Sequence, residues 1–308
     1  MTSARPLLLL DSASLYFRAF YGVPETITAD DGTPVNAIRG FLDMIAQLVT
    51  DRRPGRLVAC WDEAWRPAFR VEKISTYKSH RLADDGVSEM VPDGLVPQVP
   101  VIVEALAALG IARVGAAGYE ADDVIGTLVA REVGSGSATP VEVVTGDRDL
   151  FQLVDDEAGV TVLYTIRGLK NLQTVDQRLL QEKYGVRTGQ AYADLATLRG
   201  DPSDGLPGVA GVGEKTAASL LAKFGDLPGI LAAVEAGQVS AAHQARFATA
   251  KDYLQQAPAV VRVARDAPVA EVDDALPAAP ADPQAAHELA ERWNLGGSMN
   301  RVLAALAG

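Results

Sequence analysis

The sequence is poor in the features that mark extracellular or membrane proteins. It contains one cysteine, Cys60, among 308 residues, which excludes both a disulfide framework and a cysteine metal cage. No apolar run approaches the roughly 18 residues that a membrane span needs. The N-terminal run 6–10 is too short for a signal peptide, and Asp11 follows it. We therefore expect a cytoplasmic protein with no membrane association.

Positive charge is also scarce. The chain has 28 Lys and Arg against 40 Asp and Glu, a net charge of -12, and this argues against a broad basic surface for nucleic acid, because phosphate contacts need Lys and Arg. Nine of the acidic residues belong to one proposed metal site, and without them 31 acidic residues remain against 28 basic residues. A narrow, metal-bridged contact with a polyanion is therefore compatible with the composition.

Three apolar runs of β type each end in an acidic residue; the acids are Asp11, Asp62 and Asp147. Helical spacing of apolar residues lies between these runs, at 35–49, 99–109 and 121–133. Strands that alternate with helices predict a parallel sheet in an α/β domain. Ligands of such sheets bind at the carboxyl ends of the strands, where these three acids fall.

Strand patterns stop near Thr174, and helices separated by Gly and Pro follow. We predict an α/β domain over 1–173 and a helical region over 174–308. Within the latter, 257–284 is rich in Ala, Pro and Asp and indicates an irregular surface connection. A short helix over 285–294 is expected to close the chain.

Carboxylates form the main candidate site. Two acids at 120 and 122, with a third at 123, open a helix, where free amides favour negative charge; two more follow the strand 141–146. So many carboxylates in one place repel each other unless cations lie among them. Oxygen ligands without His or Cys indicate Mg²⁺ or Mn²⁺. The proposed ligands are Asp11, Asp62, Glu120, Asp122, Asp123, Asp147, Asp149, Asp201 and Asp204.

Each group of acids taken alone has a simpler explanation. Glu120 and Asp122 could be helix-capping acids, and Asp147 or Asp204 ordinary turn residues. Taken together, three separate strands that each end in Asp are not required by capping or turn chemistry. The sequence therefore favours the metal site.

A glycine-rich hairpin lies between two helical patterns at 206–217. Gly211 and Gly213 would expose amides at the start of a helix near Glu214, an end that attracts anions, and Lys215 adds charge. A glycine-rich turn of no special use is the alternative, and the spacing of a nucleotide-binding phosphate loop is absent. Contacts of this kind position duplex DNA without reading its sequence.

Taken together, these residues resemble the bacterial 5' nucleases, also called 5'-3' exonucleases or flap endonucleases. The similarity covers nearly the whole chain and extends to the N-terminal nuclease domain of bacterial DNA polymerase I. The motifs that carry it are Leu10-Asp11 with Arg18, Gly40-Phe41-Leu42, Trp61-Asp62, Tyr77-Lys78-Ser79-His80-Arg81, Gly118 to Asp123, Thr145 to Asp149, and Gly200 to Gly208.

The resemblance implies a PIN-like α/β core, a helical arch near 72–97 and a helix-three-turn-helix DNA clamp near 203–224. It also implies two-metal hydrolysis that leaves 5' phosphates, with two or three Mg²⁺ or Mn²⁺ ions. One metal would be held by Asp11, Asp62, Glu120 and Asp122, and the other by Asp147, Asp149 and Asp204. Asp123 and Asp201 would have outer or auxiliary roles.

By the same resemblance, Lys78 and Arg81 would share one face of an arch helix and stabilise charge on the phosphate; a solvated basic helix face is the alternative. Arg18 and Arg70 would contact the DNA backbone, and Phe17 or Tyr77 could stack a terminal base. The resemblance further implies a K⁺ ion in the hairpin. The expected partner of a monomer is DNA with a flap, nick or 5' overhang, or an RNA–DNA hybrid.

Gly205 departs from the family pattern, which usually has Asn at this position, so we expect a less firmly braced turn around Asp204. Two other functions are open to such a chain. A non-catalytic DNA-binding scaffold should have lost acids, and this chain keeps all nine. A PIN-like RNA endonuclease would be expected to lack the basic residues of the arch and the hairpin, and both are present.

Overall fold

A central sheet organises the computed structural model, which describes residues 5–308. Its strands are β1 (Leu7–Asp11), β2 (Arg56–Cys60), β3 (Ala112–Val114), β4 (Val141–Thr145), β5 (Val160–Tyr164) and β6 (Gln173–Val175). Their order is β3-β2-β1-β4-β5-β6, and every pair is parallel except β5 with β6. The predicted parallel α/β sheet is confirmed, with an antiparallel edge strand that the sequence did not predict.

The central strand β1 is apolar on both faces because helices cover both sides of the sheet. Leu7 and Leu9 belong to one core, while Leu8 and Leu10 belong to the other, and all four are at most 1% exposed. Burial of each such leucine stabilises the fold by roughly 1.5–3 kcal/mol. The strand therefore fixes the position of Asp11, which follows these leucines at the carboxyl edge.

Helices form a layer on each side of the sheet. In the first half of the chain they are α1 (Ser12–Gly22), α2 (Asn36–Arg52), α3 (Ala68–Val71), α4 (Gln98–Leu109) and α5 (Ala121–Gly134). In the second half they are α6 (Gln177–Tyr184), α7 (Gly189–Arg199), α8 (Glu214–Phe224), α9 (Leu227–Glu235), α10 (Ala241–Thr249), α11 (Lys251–Val261), α12 (Pro283–Arg292) and α13 (Gly296–Ala307). The three helices predicted at 35–49, 99–109 and 121–133 correspond to α2, α4 and α5.

The second half of the chain is less separate than the sequence indicates. Strand β6 spans the predicted boundary between 173 and 174. Helices α12 and α13 pack in the same core as α2 and α4, against the first half. The sequence predicted one closing helix at 285–294; α12 fits it, but α13 was missed because Gly296 and Gly297, weak helix formers, open it.

The connection predicted to be irregular at 257–284 is only partly so. Helix α11 continues to Val261 with Pro258 inside it. The following stretch lacks regular structure, yet Val263, Ala267 and Val269 are buried in the core. The prediction of a surface segment was wrong for these residues.

The predicted arch at 72–97 is present as a segment but is not helical. Its only helical element is a 3-10 turn at Ser79–Arg81, preceded by Lys78 in the left-handed region at φ 48°. Asp85 accepts hydrogen bonds from the amides of Val87 and Ser88 and so closes a turn, and two prolines, Pro92 and Pro97, follow before α4. Turn chemistry and proline therefore override the helix that the resemblance implied.

No single helix within residues 5–308 is long and apolar enough to cross a membrane; only the bent pair α8 and α9 meets the criteria of length and composition when the two are joined.

Candidate functional site

Acidic side chains gather at the carboxyl edge of β1, β2 and β4. Asp11 caps α1, accepting from the Ser14 amide at 3.2 Å, and its other oxygen accepts from the Thr145 hydroxyl at 2.6 Å. Burial raises the pKa of Asp11 to about 7, and the negative charges of Asp62 and Asp147 add to the rise. Asp11 is thus held among carboxylates that come from separate strands.

The acids of the second strand and of α5 complete this first group. Asp62 accepts from the Ala121 amide at 2.8 Å, at the start of α5. Burial raises the pKa of both Asp62 and Asp122. A cavity of about 510 Å³ is lined by basic and aromatic side chains and by five of the nine predicted acids, which are Asp11, Asp62, Glu120, Asp122 and Asp147.

A second group of acids adjoins the first beside Asp147. Burial raises the pKa of Asp149, and the charges of Asp147, Asp204 and Asp201 raise it further. Asp201 and Asp204 come from the turn after α7. The structure therefore brings eight of the nine predicted acids into two neighbouring groups, as the order of the strands allows.

Asp123 is the exception among the nine. It is fully buried, and both of its oxygens accept from the Arg70 guanidinium, at 2.6 and 2.7 Å. The Ala264 amide donates to it at 2.8 Å. Its position on α5 turns it away from the cavity, so a direct metal-ligating role for Asp123 is not supported.

Arg70 is almost completely buried, and its predicted role as a DNA backbone contact is wrong. The side chain is 2% exposed. Besides Asp123 it binds Glu120 at 2.6 Å and donates to the Val260 carbonyl at 2.9 Å. A guanidinium enclosed in this way cannot reach a phosphate.

Tyr77 is likewise buried, so the prediction that it stacks a base is wrong. Its hydroxyl donates to Glu120, with the nearer oxygen at 2.9 Å. Phe17, by contrast, lines the acidic cavity beside Tyr16. Arg18 lies next to Gly146 at the same edge. Phe17 and Arg18 therefore remain available for the roles predicted for them.

The two basic residues that were predicted to be catalytic, Lys78 and Arg81, face the acidic side chains. Lys78 forms an ion pair with Glu120, and Arg81 binds Asp204 at 3.0 Å. They do not lie on a helix face, because Lys78 precedes the 3-10 turn that contains Arg81. Both nevertheless line the cavity.

The glycine-rich hairpin joins α7 to α8, as predicted. Gly213 is the N-terminal cap of α8, and Gly211, Gly213 and Lys215 are exposed. The carbonyl of Gly211 accepts from the Arg246 guanidinium at 2.9 Å. Arg246 was missed, because it lies on α10 and nothing in the sequence links it to the hairpin.

The turn around Gly205 is tightly packed, contrary to expectation. Gly205 has φ +71°, and a Cβ placed on it would lie 2.1 Å from the carbonyl oxygen of Thr76. The missing side chain thus allows close contact with the arch segment. The expectation of a weakly braced turn was wrong.

Several residues that were not predicted also line the cavity, among them Tyr16, Trp61, Trp65 and Glu89. Trp61 belongs to the Trp61-Asp62 motif and precedes a predicted ligand, but no role was predicted for it. Tyr16, Trp65 and Glu89 have no neighbouring pattern that would single them out. Burial raises the pKa of Glu89.

The carboxylates are engaged with protein groups. Glu120 accepts from Tyr77, Lys78 and Arg70. Within residues 5–308, no group of three or more His, Cys, Asp or Glu side chains has an arrangement that could hold a metal ion as it stands. Metal coordination therefore requires some of these side chains to change rotamer.

Two models of known families match successive parts of the chain. Residues 6–185 match the family described as 5'-3' exonuclease, N-terminal resolvase-like domain. Residues 187–284 match the 5'-3' exonuclease, C-terminal SAM fold. The matches divide the chain shortly after β6.

Individual relatives extend the comparison. A 5'-3' exonuclease of Streptomyces coelicolor is 58% identical over 305 residues, which cover 97% of this chain and 99% of the relative. DNA polymerase I of Mycobacterium tuberculosis is 40% identical over 290 residues, 93% of this chain but 30% of the polymerase. A bacteriophage T5 flap endonuclease, solved as a pseudo-enzyme-product complex with DNA and metal ions, shares the fold at a TM-score of 0.64 and 15% identity, covering 99% of this chain and 100% of its own.

The two family models together cover residues 6–185 and 187–284, both describe parts of a 5'-3' exonuclease, and the chain therefore belongs to the 5'-3' exonuclease family.

Proposed function

We propose that the chain is a divalent-metal-dependent 5' nuclease that hydrolyses phosphodiesters near the 5' ends of DNA flaps, nicks or primers during replication and repair. One observation carries this proposal: acids from three strand ends, from α5 and from the turn after α7 meet Lys78 and Arg81 at one edge of the sheet, with an exposed hairpin following that turn. The matching exonuclease relatives support it.

The donor set suits Mg²⁺ or Mn²⁺, because it offers carboxylate oxygens and neither His nor Cys. Asp11, Asp62, Glu120 and Asp122 would hold one ion. A second would lie among Asp147, Asp149 and Asp204, with Asp201 beside it. Burial and the charges of neighbouring carboxylates raise the pKa of Asp11, Asp122 and Asp149. A cation bound among these side chains would stabilise their charged forms.

Bound metals would activate a water and offset charge on the phosphate. The chain's own residues perform the remaining tasks. Lys78 and Arg81, now paired with acids, supply positive charge at the cavity where the scissile phosphate would lie. Phe17 and Trp61 give the cavity an aromatic wall for a terminal base.

The hairpin would hold the duplex through backbone amides. Gly213 begins α8, whose amide end favours phosphate, and Lys215 adds a charge nearby. Arg246 already occupies the Gly211 carbonyl, so a K⁺ ion bound there would have to share or replace that contact. We further propose that the protein is monomeric and cytoplasmic and that it also accepts RNA–DNA hybrids.

A cleavage assay on a labelled 5'-flap duplex tests this function. Wild type with Mg²⁺ or Mn²⁺ should cut near the junction. Asp147→Asn keeps the shape of a ligand but removes its charge, so cleavage should fall roughly 100-fold or more, the loss expected when several kcal/mol of transition-state stabilisation disappear. Its affinity for the flap, measured in Ca²⁺ without turnover, should remain close to that of wild type.

The control is Asp30→Asn, the same change at an exposed acid outside the cavity, and it should cut normally. If wild type binds flap DNA yet cuts with neither ion, the protein is a scaffold and the proposed function is wrong. Cleavage of RNA alone would instead favour an RNA endonuclease.

A further inference from the structure

The turn that carries Asp201 and Asp204 is closed on itself. The amide of Asp201 donates to the Leu206 carbonyl at 2.9 Å, and the Leu206 amide donates back at 2.8 Å. At its base Gly200 and Gly208 are so close that a Cβ on Gly200 would lie 2.5 Å from the Gly208 nitrogen. Reciprocal hydrogen bonds and this backbone contact make the turn a rigid unit.

The start of the arch segment is docked on this turn through its backbone. The Lys78 amide donates to the Asp204 carbonyl at 2.9 Å, and the Thr76 hydroxyl donates to the Gly205 carbonyl at 2.8 Å. Gly205 has the left-handed φ of +71°, and a Cβ there would be 2.1 Å from the Thr76 carbonyl oxygen. A residue with a side chain cannot occupy position 205 unless one of the two segments moves.

The arch segment is also fixed from its other side. Arg66 donates to the carbonyls of Tyr77 and Ser75 at 2.6 and 2.7 Å. Lys78 itself holds a left-handed φ of 48°, a conformation that costs free energy and persists only where the surroundings enforce it. The contact at Gly205 is one of the features that enforce it.

We infer that Gly205 is a positioning residue for Lys78 and Arg81. Because Gly205 lacks a side chain, the rigid turn that carries Asp201 and Asp204 can fix the backbone from which the side chains of Lys78 and Arg81 reach the cavity. Arg81 supports this reading, because it also donates to the Ser203 carbonyl at 3.2 Å and so follows the same turn. A side chain at position 205 would push the arch segment away and would move Lys78 and Arg81 relative to the acidic side chains. The inference rests on the proposed function, since it concerns how Lys78 and Arg81 are held for that reaction.

The test compares Gly205→Ala with a matched control, Gly136→Ala. Gly136 has the same φ of +71° but nothing within 4 Å of a Cβ, so both variants carry the same backbone strain and only the first has the clash. For each we would measure the single-turnover cleavage rate at saturating enzyme, flap affinity in Ca²⁺ and the melting temperature. Gly205→Ala should lose about 10- to 100-fold in rate, since displacements near 1 Å cost up to about 100-fold. Its flap affinity should change less than about threefold, and Gly136→Ala should cut like wild type.

A milder pair of variants decides the matter if Gly205→Ala does not fold. Thr76→Val removes only the hydroxyl that binds the Gly205 carbonyl and should cut a few-fold more slowly, whereas Thr76→Ser keeps the hydroxyl and should restore the rate. A Gly205→Ala protein that cuts within about twofold of wild type overturns the inference, as does a loss of affinity equal to the loss of rate. Equal rates for Thr76→Val and Thr76→Ser also overturn it. If wild type itself fails to cut, the proposed function falls and the inference falls with it.

Discussion

The guanidinium of Arg70 is surrounded by acceptors from three parts of the chain. It binds Asp123 and Glu120 on α5 and its cap, and it donates to Val260 at the end of α11. A buried charge that loses its partner is strongly destabilising, typically by about 3–5 kcal/mol. The network therefore contributes to the position of Glu120 and to the junction between the α/β core and α11.

This network gives a prediction for Arg70→Gln. The variant leaves Asp123 buried without its cation, so the free energy of unfolding should fall by about 3–5 kcal/mol in urea denaturation. Arg178→Gln is the control, because its pair with Glu182 is exposed and should contribute at most about 0.5 kcal/mol. Unchanged stability with weaker, less salt-dependent DNA binding would instead restore Arg70 as a phosphate contact.

The acids were predictable from sequence, but some of their partners were not. Asp11, Asp62 and Asp147 follow apolar strands, and parallel strands end at one edge of a sheet, so their proximity follows from topology. Spacing alone does not say which way a side chain turns after a strand or at a helix start. Asp122 and Asp123 are adjacent, yet one lines the cavity and the other faces the core. Arg70 and Tyr77 were misjudged for the same reason.

At the scale of elements, the helices with regular apolar spacing were predicted within a few residues. The arch segment was not, because its turn-forming Asp85 and its prolines act locally against the helix implied by the resemblance. Helix α13 was missed for the opposite reason. Its glycine start is locally unfavourable, but Met299, Val302 and Leu306 pack against α2 and stabilise it through tertiary contacts.

The packing of α13 can be tested with Met299→Ala. Met299 is 1% exposed, so this truncation should reduce the free energy of unfolding by about 2–5 kcal/mol through lost burial and a new cavity. Arg301→Ala, on the exposed face of the same helix, removes an ion pair with Asp43 and should cost at most about 1 kcal/mol. Equal, small losses for both variants would mean that α13 is not docked in solution.

At the scale of the whole molecule, the acidic cluster makes stability depend on pH and on cations. Asp11 has its pKa raised to about 7, and burial also raises the pKa of Asp62, Asp122 and Asp149. Between pH 4 and 7 the folded chain therefore binds more protons than the unfolded chain. Its free energy of unfolding decreases as pH rises through this window.

In EDTA we accordingly expect the melting temperature to fall from pH 5 to pH 8, and Asp11→Asn should show a smaller fall. Mg²⁺ should raise the melting temperature more at pH 8 than at pH 5, because protons compete for the same oxygens. At a free Mg²⁺ concentration of 100 times the Kd, binding at one site would add about 2.7 kcal/mol to the free energy of unfolding. A melting temperature in EDTA that is flat or rising over this range would contradict the expected repulsion.

Helix α13 packs on α2 across almost the full length of the chain, from residues 296–307 to residues 36–52. On a ribosome, the apolar face of α2 emerges long before α13 and must wait until residues 296–307 have been translated and have left the exit tunnel. At about 5–20 residues per second this delay is roughly 12–50 s. During that time the nascent chain exposes a surface that chaperones would bind, so the synthesis of α13 sets when the first half can finish folding.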